Sequence, residues 1–180
     1  SQVVHKSDVG GVQLNLATPD QVRDAYELMM LRVQRRLPHA DIEGVYIERM
    51  SKPGREVILG MHRDPQFGPM LMFGLGGIFV EVMKDVSFYL APLTEEEALQ
   101  MLMRTRSYAL LTGVRGQRSV DLQALASCIQ RVSQLATDFP QILELDINPL
   151  IVREAGMPPT VADARMTFAE CEAHEHQTRL

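Results

Sequence analysis

The sequence predicts an α+β fold with an antiparallel or mixed sheet and flanking helices. Three observations carry this. The elements run helix, several strands, two helices, then strands. Tight turns of the hairpin kind outnumber the long crossovers that parallel strands need. With 180 residues and 46% hydrophobic content, the chain can bury one sizeable core, or two small lobes sharing an interface.

Taken in order, Val3-Val4-His5-Lys6-Ser7-Asp8-Val9-Gly10-Gly11-Val12 is already strand-and-turn material, with no start Met and no cap before it. It reads as a piece of a larger protein. Thr18-Pro19-Asp20-Gln21 opens a helix: Thr18 caps, Pro19 suits the first helical position, and Gln21 completes a capping box. Val22, Tyr26, Met29 and Val33 recur at helical spacing to about Arg36, and Pro38 with His39-Ala-Asp41 ends the element. Strand-like runs follow at Gly44–Met50, Glu56–Met61, Pro69–Phe73 and Val86–Leu90. The turn Ser51-Lys-Pro-Gly54 joins the first two as a hairpin. Thr94-Glu95-Glu96-Glu97 is a second capping box, its carboxylates complementing a helix N-terminus. Ser119 or Asp121 opens a third helix, with Leu122, Leu125, Ile129, Val132 and Ala136 on one apolar face. Strands at 141–152 and 160–163 close residues 1–168, and 169–180 form a polar tail.

A net charge of −5 argues against nonspecific nucleic-acid binding. No apolar run reaches the length of a membrane span, and Ser-Gln-Val-Val-His-Lys lacks the apolar stretch of a signal peptide. Cys128 and Cys171 have no metal-like spacing. Cys128 falls in an apolar helix pattern as a buried, inert thiol, so a reducing cytoplasm fits. The eleven Met residues suggest adaptable packing rather than a special site.

The segment Glu144-Leu-Asp146-Ile-Asn148-Pro149-Leu150, followed by Asp163-Ala-Arg165, is the most informative. Alternation puts Glu144 and Asp146 on one strand face and Leu143, Leu145 and Ile147 on the other. Pro149 cannot donate to a ladder, so the strand breaks beside Asn148. A return strand near Thr160–Ala162 would bring Asp163 to Asn148. Such oxygen ligands suit Mg²⁺, which keeps several waters and is usually shared with substrate phosphates. A turn at Asn148-Pro149 and an unrelated loop carboxylate explain the same spacing, slightly better by frequency alone. The glycine-rich run Phe67-Gly68-Pro69 to Gly76-Gly77 lets backbone amides approach an anion, or merely connects two strands tightly. It is neither a dinucleotide fingerprint nor a Walker loop. Glu48 and Glu56 flank the expected hairpin mouth, where carboxylates either bind ribose hydroxyls or simply meet solvent. His5 beside Lys6 is a nucleophile, a base or plain surface.

Together, His5-Lys6-Ser7-Asp8-Val9-Gly10-Gly11-Val12, Phe67-Gly68-Pro69 through Gly76-Gly77 and Glu81, and Glu144 to Leu150 with Asp163-Ala-Arg165 resemble the ATP-grasp region of NDP-forming acyl-CoA synthetases. This family includes ADP-forming acetate–CoA ligases and, more distantly, the β subunit of succinyl–CoA ligase. The resemblance covers residues 3–168. It implies an ATP-grasp-like fold, in which ATP/ADP and Mg²⁺ would lie between two α+β lobes. By position, Glu48, Arg49 and Met50 would be the hinge against adenine, and Glu56 would reach the ribose or adenine edge. Gly76 and Gly77 would border the phosphate path. Asn148 and Asp163 would bind Mg²⁺, with Asp146 at or near them, and Arg165 would neutralise phosphoryl charge or pair with Asp163. His5 would be a transient phosphohistidine. Partners would be CoA-binding and ligase domains of the same protein or of another subunit.

The family's phosphate-contacting lysine precedes the His-Lys-Ser-Asp motif and is not in these residues, so the domain reads as truncated. On that basis the 180 residues alone should bind nucleotide weakly and not turn over. The competing function is a synthetase-like regulatory region of a protein lysine acetyltransferase.

Overall fold

The computed structural model describes residues 9–77, 80, 82–114, 116 and 118–169. They fall into two units, Ser1–Lys52 and Pro53–Leu180.

In the first unit the main element is α1 (Pro19–Arg36). Thr18 caps it, its hydroxyl accepting the Gln21 amide at 3.2 Å. The expected box is not reciprocal: Gln21 Oε1 accepts from the Ala17 amide at 2.7 Å, one residue further back. The run Gly44–Met50 is not a strand. The reason lies in β1 (Arg55–Asp64), which was to be its hairpin partner. Both edges of β1 are occupied, by β2 (Gly68–Leu75) and β4 (Ile142–Val152), which leaves no ladder for 44–50 to join. The hairpin is instead β1–β2, closed by Asp64, whose Oδ1 accepts the amides of Gln66 and Phe67.

The second unit holds a sheet in the order β3-β2-β1-β4-β5, where β3 is Val86–Leu90 and β5 is Thr160–Val161. A further strand, β6 (Ala164–Phe168), pairs with β4 on the same edge as β5. Every described pairing is antiparallel. Between β3 and β4 the chain forms α2 (Glu95–Met103), the short α3 (Tyr108–Thr112) and α4 (Leu122–Asp138). The capping box of α2 is complete, Thr94 and Glu97 each bonding the other's amide. Asp121 caps α4 by accepting the Ala124 amide at 2.9 Å.

One face of the sheet meets the helices. Val57, Leu59, Met61, Leu71 and Phe73 join Met101, Leu102, Leu125 and Ile129 in a single core. Each fully buried Leu or Phe there contributes roughly 1.5–3 kcal/mol. Polar groups lock the layers. Arg63 donates to the carbonyls of Ala136, Phe139 and Ile142, so it satisfies the C-terminal end of α4. Buried Ser133 accepts the Leu93 amide at 2.8 Å. Cys128 is half-buried, and burial pushes its thiol pKa up despite the opposing charge of Arg131.

Candidate functional site

Strand β4 passes through Asn148-Pro149 without ending, contrary to the expected break. Val57 pairs with Leu150 and Leu59 with Ile147, so Ile58 alone faces both Asn148 and Pro149. Proline withdraws one donor, and the strand absorbs this as a bulge rather than stopping. A second irregularity lies between Ile142 and Glu144 in the pairing with β6, and it turns Leu143 outward, 37% exposed. Leu143 therefore does not share the core face of Leu145 and Ile147, because a bulge resets the two-residue alternation.

The return path is built to bring Asp163 back. Arg153, at the end of β4, donates to the Pro158 carbonyl and to Thr160 Oγ1 at 2.9–3.1 Å, closing the loop into β5. Opposite the bulge, the Asn148 amide donates to the Asp163 carbonyl at 3.1 Å, and the Ala162 amide to the Pro149 carbonyl at 3.0 Å. Asn148 and Asp163 are thus immediate cross-strand neighbours, both exposed. The Asp163 carboxylate is oriented by its Oδ1, which accepts the Ala164 amide at 3.0 Å. One step along, Asp146 stands opposite Arg165 on β6 and Gly60 on β1. No ion pair joins Arg165 to Asp163 among the described residues.

Glu56 is exposed and pairs with Ile151, near the same bulge. The Gly76 amide donates to the Glu56 carbonyl at 3.0 Å. A Cβ at Gly76 would come within 3.3 Å of that oxygen, and Gly77 has φ +65°, so the glycine pair lets the end of β2 lie against Glu56. The fold therefore gathers Glu56, Gly76, Gly77, Asp146, Asn148, Asp163 and Arg165 around the edges of β1 and β4, on the sheet face opposite the helices. Glu48, Arg49 and Met50 are exposed residues of the first unit. His5 and Glu81 lie outside the described residues.

An amide oxygen and carboxylates side by side have the hard-oxygen chemistry that Mg²⁺ takes. Among the described residues no group of three or more His, Cys, Asp or Glu could hold a metal ion unaided. The donor set fits an ion that draws its remaining ligands from phosphate and water. Two shallow depressions of ≈ 200 and ≈ 290 Å³ lie in the first unit, along α1, and none of these residues lines them.

One pair escaped sequence reasoning. His62 Nδ1 lies 3.3 Å from Glu144 Oε1, a contact made by strand register between residues far apart in the chain. Strand β6 was also missed, although Ala-Arg-Met-Thr-Phe alternates as a strand should. No helix among the described residues is long and apolar enough to cross a membrane.

Comparison with known proteins identifies the family and the fold. Residues 1–168 match the ATP-grasp domain family. The chain is 49% identical over 165 residues to the β subunit of acetate–CoA ligase (ADP-forming) I of Pyrococcus furiosus, covering 92% of this chain and 70% of that one. It is also 49% identical over 168 residues to acetate–CoA ligase (ADP-forming) I of Archaeoglobus fulgidus, covering 93% of this chain but only 24% of that protein. The chain thus spans about a quarter of the single-chain relative. The fold superposes with a TM-score of 0.88, at 45% identity, on an acetyl-coenzyme A synthetase of Ca. Korarchaeum cryptofilum solved with coenzyme A and Ca-AMPCP; the match covers 93% of this chain and 72% of that one. Another structure of that synthetase, with Mg-AMPPCP and its phosphohistidine segment pointing towards the nucleotide binding site, matches with a TM-score of 0.78 at 41% identity, with the same coverage.

Proposed function

Because the chain belongs to the ATP-grasp domain family, we propose that it is the nucleotide- and Mg²⁺-binding part of an ADP-forming acid–CoA ligase. The observation that carries this reading is the Asn148–Asp163 juxtaposition, held by a 3.1 Å backbone bond beside Asp146 and Arg165. Asn148 and Asp163 hold the cation, with Asp146 at or near it. Bound Mg²⁺ supplies charge neutralisation on the phosphates. Arg165 adds positive charge to a transferring phosphoryl group, where catalysis is mainly positioning and electrostatics. Glu56 meets the ribose or adenine edge, Gly76 and Gly77 line the phosphate path, and Glu48, Arg49 and Met50 meet the base.

In the whole reaction a CoA-binding portion, in the same chain or a partner subunit, forms acyl phosphate, and a histidine carries the phosphoryl group between that portion and the nucleotide. His5 is our candidate for this carrier. The whole of residues 1–168 serves as one ATP-grasp domain, and 169–180 as a tail. The setting is the cytoplasm. The regulatory alternative finds no support in the relatives described, which are ligases.

In the full-length protein, Asp163→Ala should weaken Mg–ADP binding about tenfold or more while leaving the melting transition in place. Unchanged Mg²⁺ dependence in titration calorimetry would remove the metal assignment. Acid-labile, base-stable ³²P labelling from γ-labelled ATP should vanish in His5→Asn; a label that persists moves the carrier to another residue.

A further inference from the structure

Helix α1 carries apolar side chains on two faces rather than one. Val22, Met29 and Val33 are half-buried, whereas Leu28 and Leu31 project away from them and are each more than half exposed. Single exposed leucines are ordinary on a protein surface. These two belong to a pattern. Asp24, Leu28, Leu31 and Arg35 follow one another at spacings of four, three and four residues, the seam of a two-stranded coiled coil. They form one ridge, about 17 Å long at the helical rise. All four are exposed, and no ion pair among the described residues engages Asp24 or Arg35. The chain on either side of α1 leaves the ridge open. Gly10, Gln13 and Leu16 share a depression with Asp24 and Leu28, and Val45 and Ile47 share another with Val22 and Tyr26; neither reaches Leu31 or Arg35.

Charge decides what fits that ridge. Asp24 is its acidic end and Arg35 its basic end, with the two leucines between. A second α1 laid antiparallel, centred between Met29 and Met30, sets Leu28 against Leu31 of the other copy and Asp24 against its Arg35, twice over by symmetry. The helix macrodipoles then run in opposite directions, which also favours the pairing. Parallel pairing would instead bring Asp24 to Asp24 and Arg35 to Arg35, so like charges exclude it. The same four residues thus select both a partner and its direction.

We propose that α1 is a self-association surface, on which two copies of this chain pair antiparallel through Asp24, Leu28, Leu31 and Arg35. The leucines exchange contact with water for contact with one another, and the Asp–Arg pairs at the two ends fix the register. Exposed ion pairs add little affinity, but setting like charges in their place costs more, which is how such pairs choose a partner. A seam of three turns buries less than the roughly 1,200 Å² of a stable interface, so the association is reversible and rises with concentration.

The test is sedimentation velocity on the full-length protein from micromolar to near-millimolar concentration, with the melting temperature taken at the dilute end. The wild type should associate as its concentration rises. Asp24→Arg and Arg35→Glu, each alone, should associate about tenfold or more weakly, since each sets like charges together at both ends of the seam. An equimolar mixture of the two should recover the association, because one copy then offers two arginines to the two carboxylates of the other. A wild type that keeps one size across the range overturns the proposal. So do variants that associate as the wild type does. A mixture no better than its components overturns it as well, and leaves this face to another segment of the chain or to a different protein. If a charge swap lowers the melting temperature, Leu31→Gln decides instead, because it leaves the charges in place. Association lost at an unchanged melting temperature supports the seam, and association at the wild-type level refutes it.

Discussion

Helices α1 and α4 are nearly equal in length, 18 and 17 residues, and each begins on a side-chain oxygen that accepts an amide of the first turn. Yet α4 buries six residues and α1 none. In α1 the expected face is in place, with Val22, Met29 and Val33 half-buried, but Tyr26 is 44% exposed and Leu31 55%. In α4, Leu125, Ile129 and Ala136 are at most 1% exposed, because the sheet supplies a surface to meet them. Periodicity and caps set where a helix forms. Burial, and the stability that comes with it, needs a second layer.

The sharpest way to break this contrast is to truncate matched side chains. Ile129→Ala should cost roughly 2–5 kcal/mol, since it opens a cavity in a packed core. Leu28→Ala, in α1 where Leu28 is 52% exposed, should stay within about 0.5 kcal/mol. Urea midpoints compare the two; equal losses would mean that α1 is as well packed as α4.

Next in size is the buried carboxylate of Asp85, 7% exposed, which accepts the amides of Arg106 at 2.8 Å and Ser107 at 2.7 Å. Burial acts to raise its pKa, but donors on Ser107 and Arg106 overcome this and hold it below the ordinary 3.8. With the folded pKa the lower one, the stabilisation is full above the ordinary value and is lost as pH falls through it toward the folded value. Asp85→Asn should therefore cost roughly 2 kcal/mol at neutral pH and flatten the acid limb of the stability curve. An acid limb as steep as the wild type's would assign it to other carboxylates.

The smallest effect sharpens the comparison at the caps. Thr94→Ala and Thr18→Ala should each cost about 1 kcal/mol of local helix stability. Amide exchange in the first turns of α2 and α1 reads this, and only the first should also shift the melting of the sheet-bearing unit.

Much of the fold was legible because its signals are local. Pro19 after Thr18, the Thr94–Glu97 box and the apolar face from Leu122 to Ala136 all state their structure within a few residues. Gly44–Met50 failed because β-pattern is a statement about partners. The segment has the strand-favouring run Val45-Tyr46-Ile47, but β1 pairs elsewhere on both edges. Strand β6 failed in the opposite sense: its alternation was visible, but all five of its residues are exposed, so no buried stripe reinforced it. At the site, residue types pointed to oxygen ligation, whereas the adjacency of Asn148 and Asp163 depends on a bulge and on the Arg153 clamp across the intervening loop.

The sequence alone determined the helix starts, the apolar faces, the oxygen-rich chemistry of Asp146, Asn148 and Asp163, and the family resemblance that these motifs carry. These depend on side-chain type and near-neighbour spacing, which the chain states directly. Only the tertiary structure decided the hairpin partner of β1, the outward turn of Leu143 and the meeting of His62 with Glu144. Each of these is a matter of register between distant strands, and register is chosen by which pairing buries the most apolar surface while leaving no backbone donor unpaired.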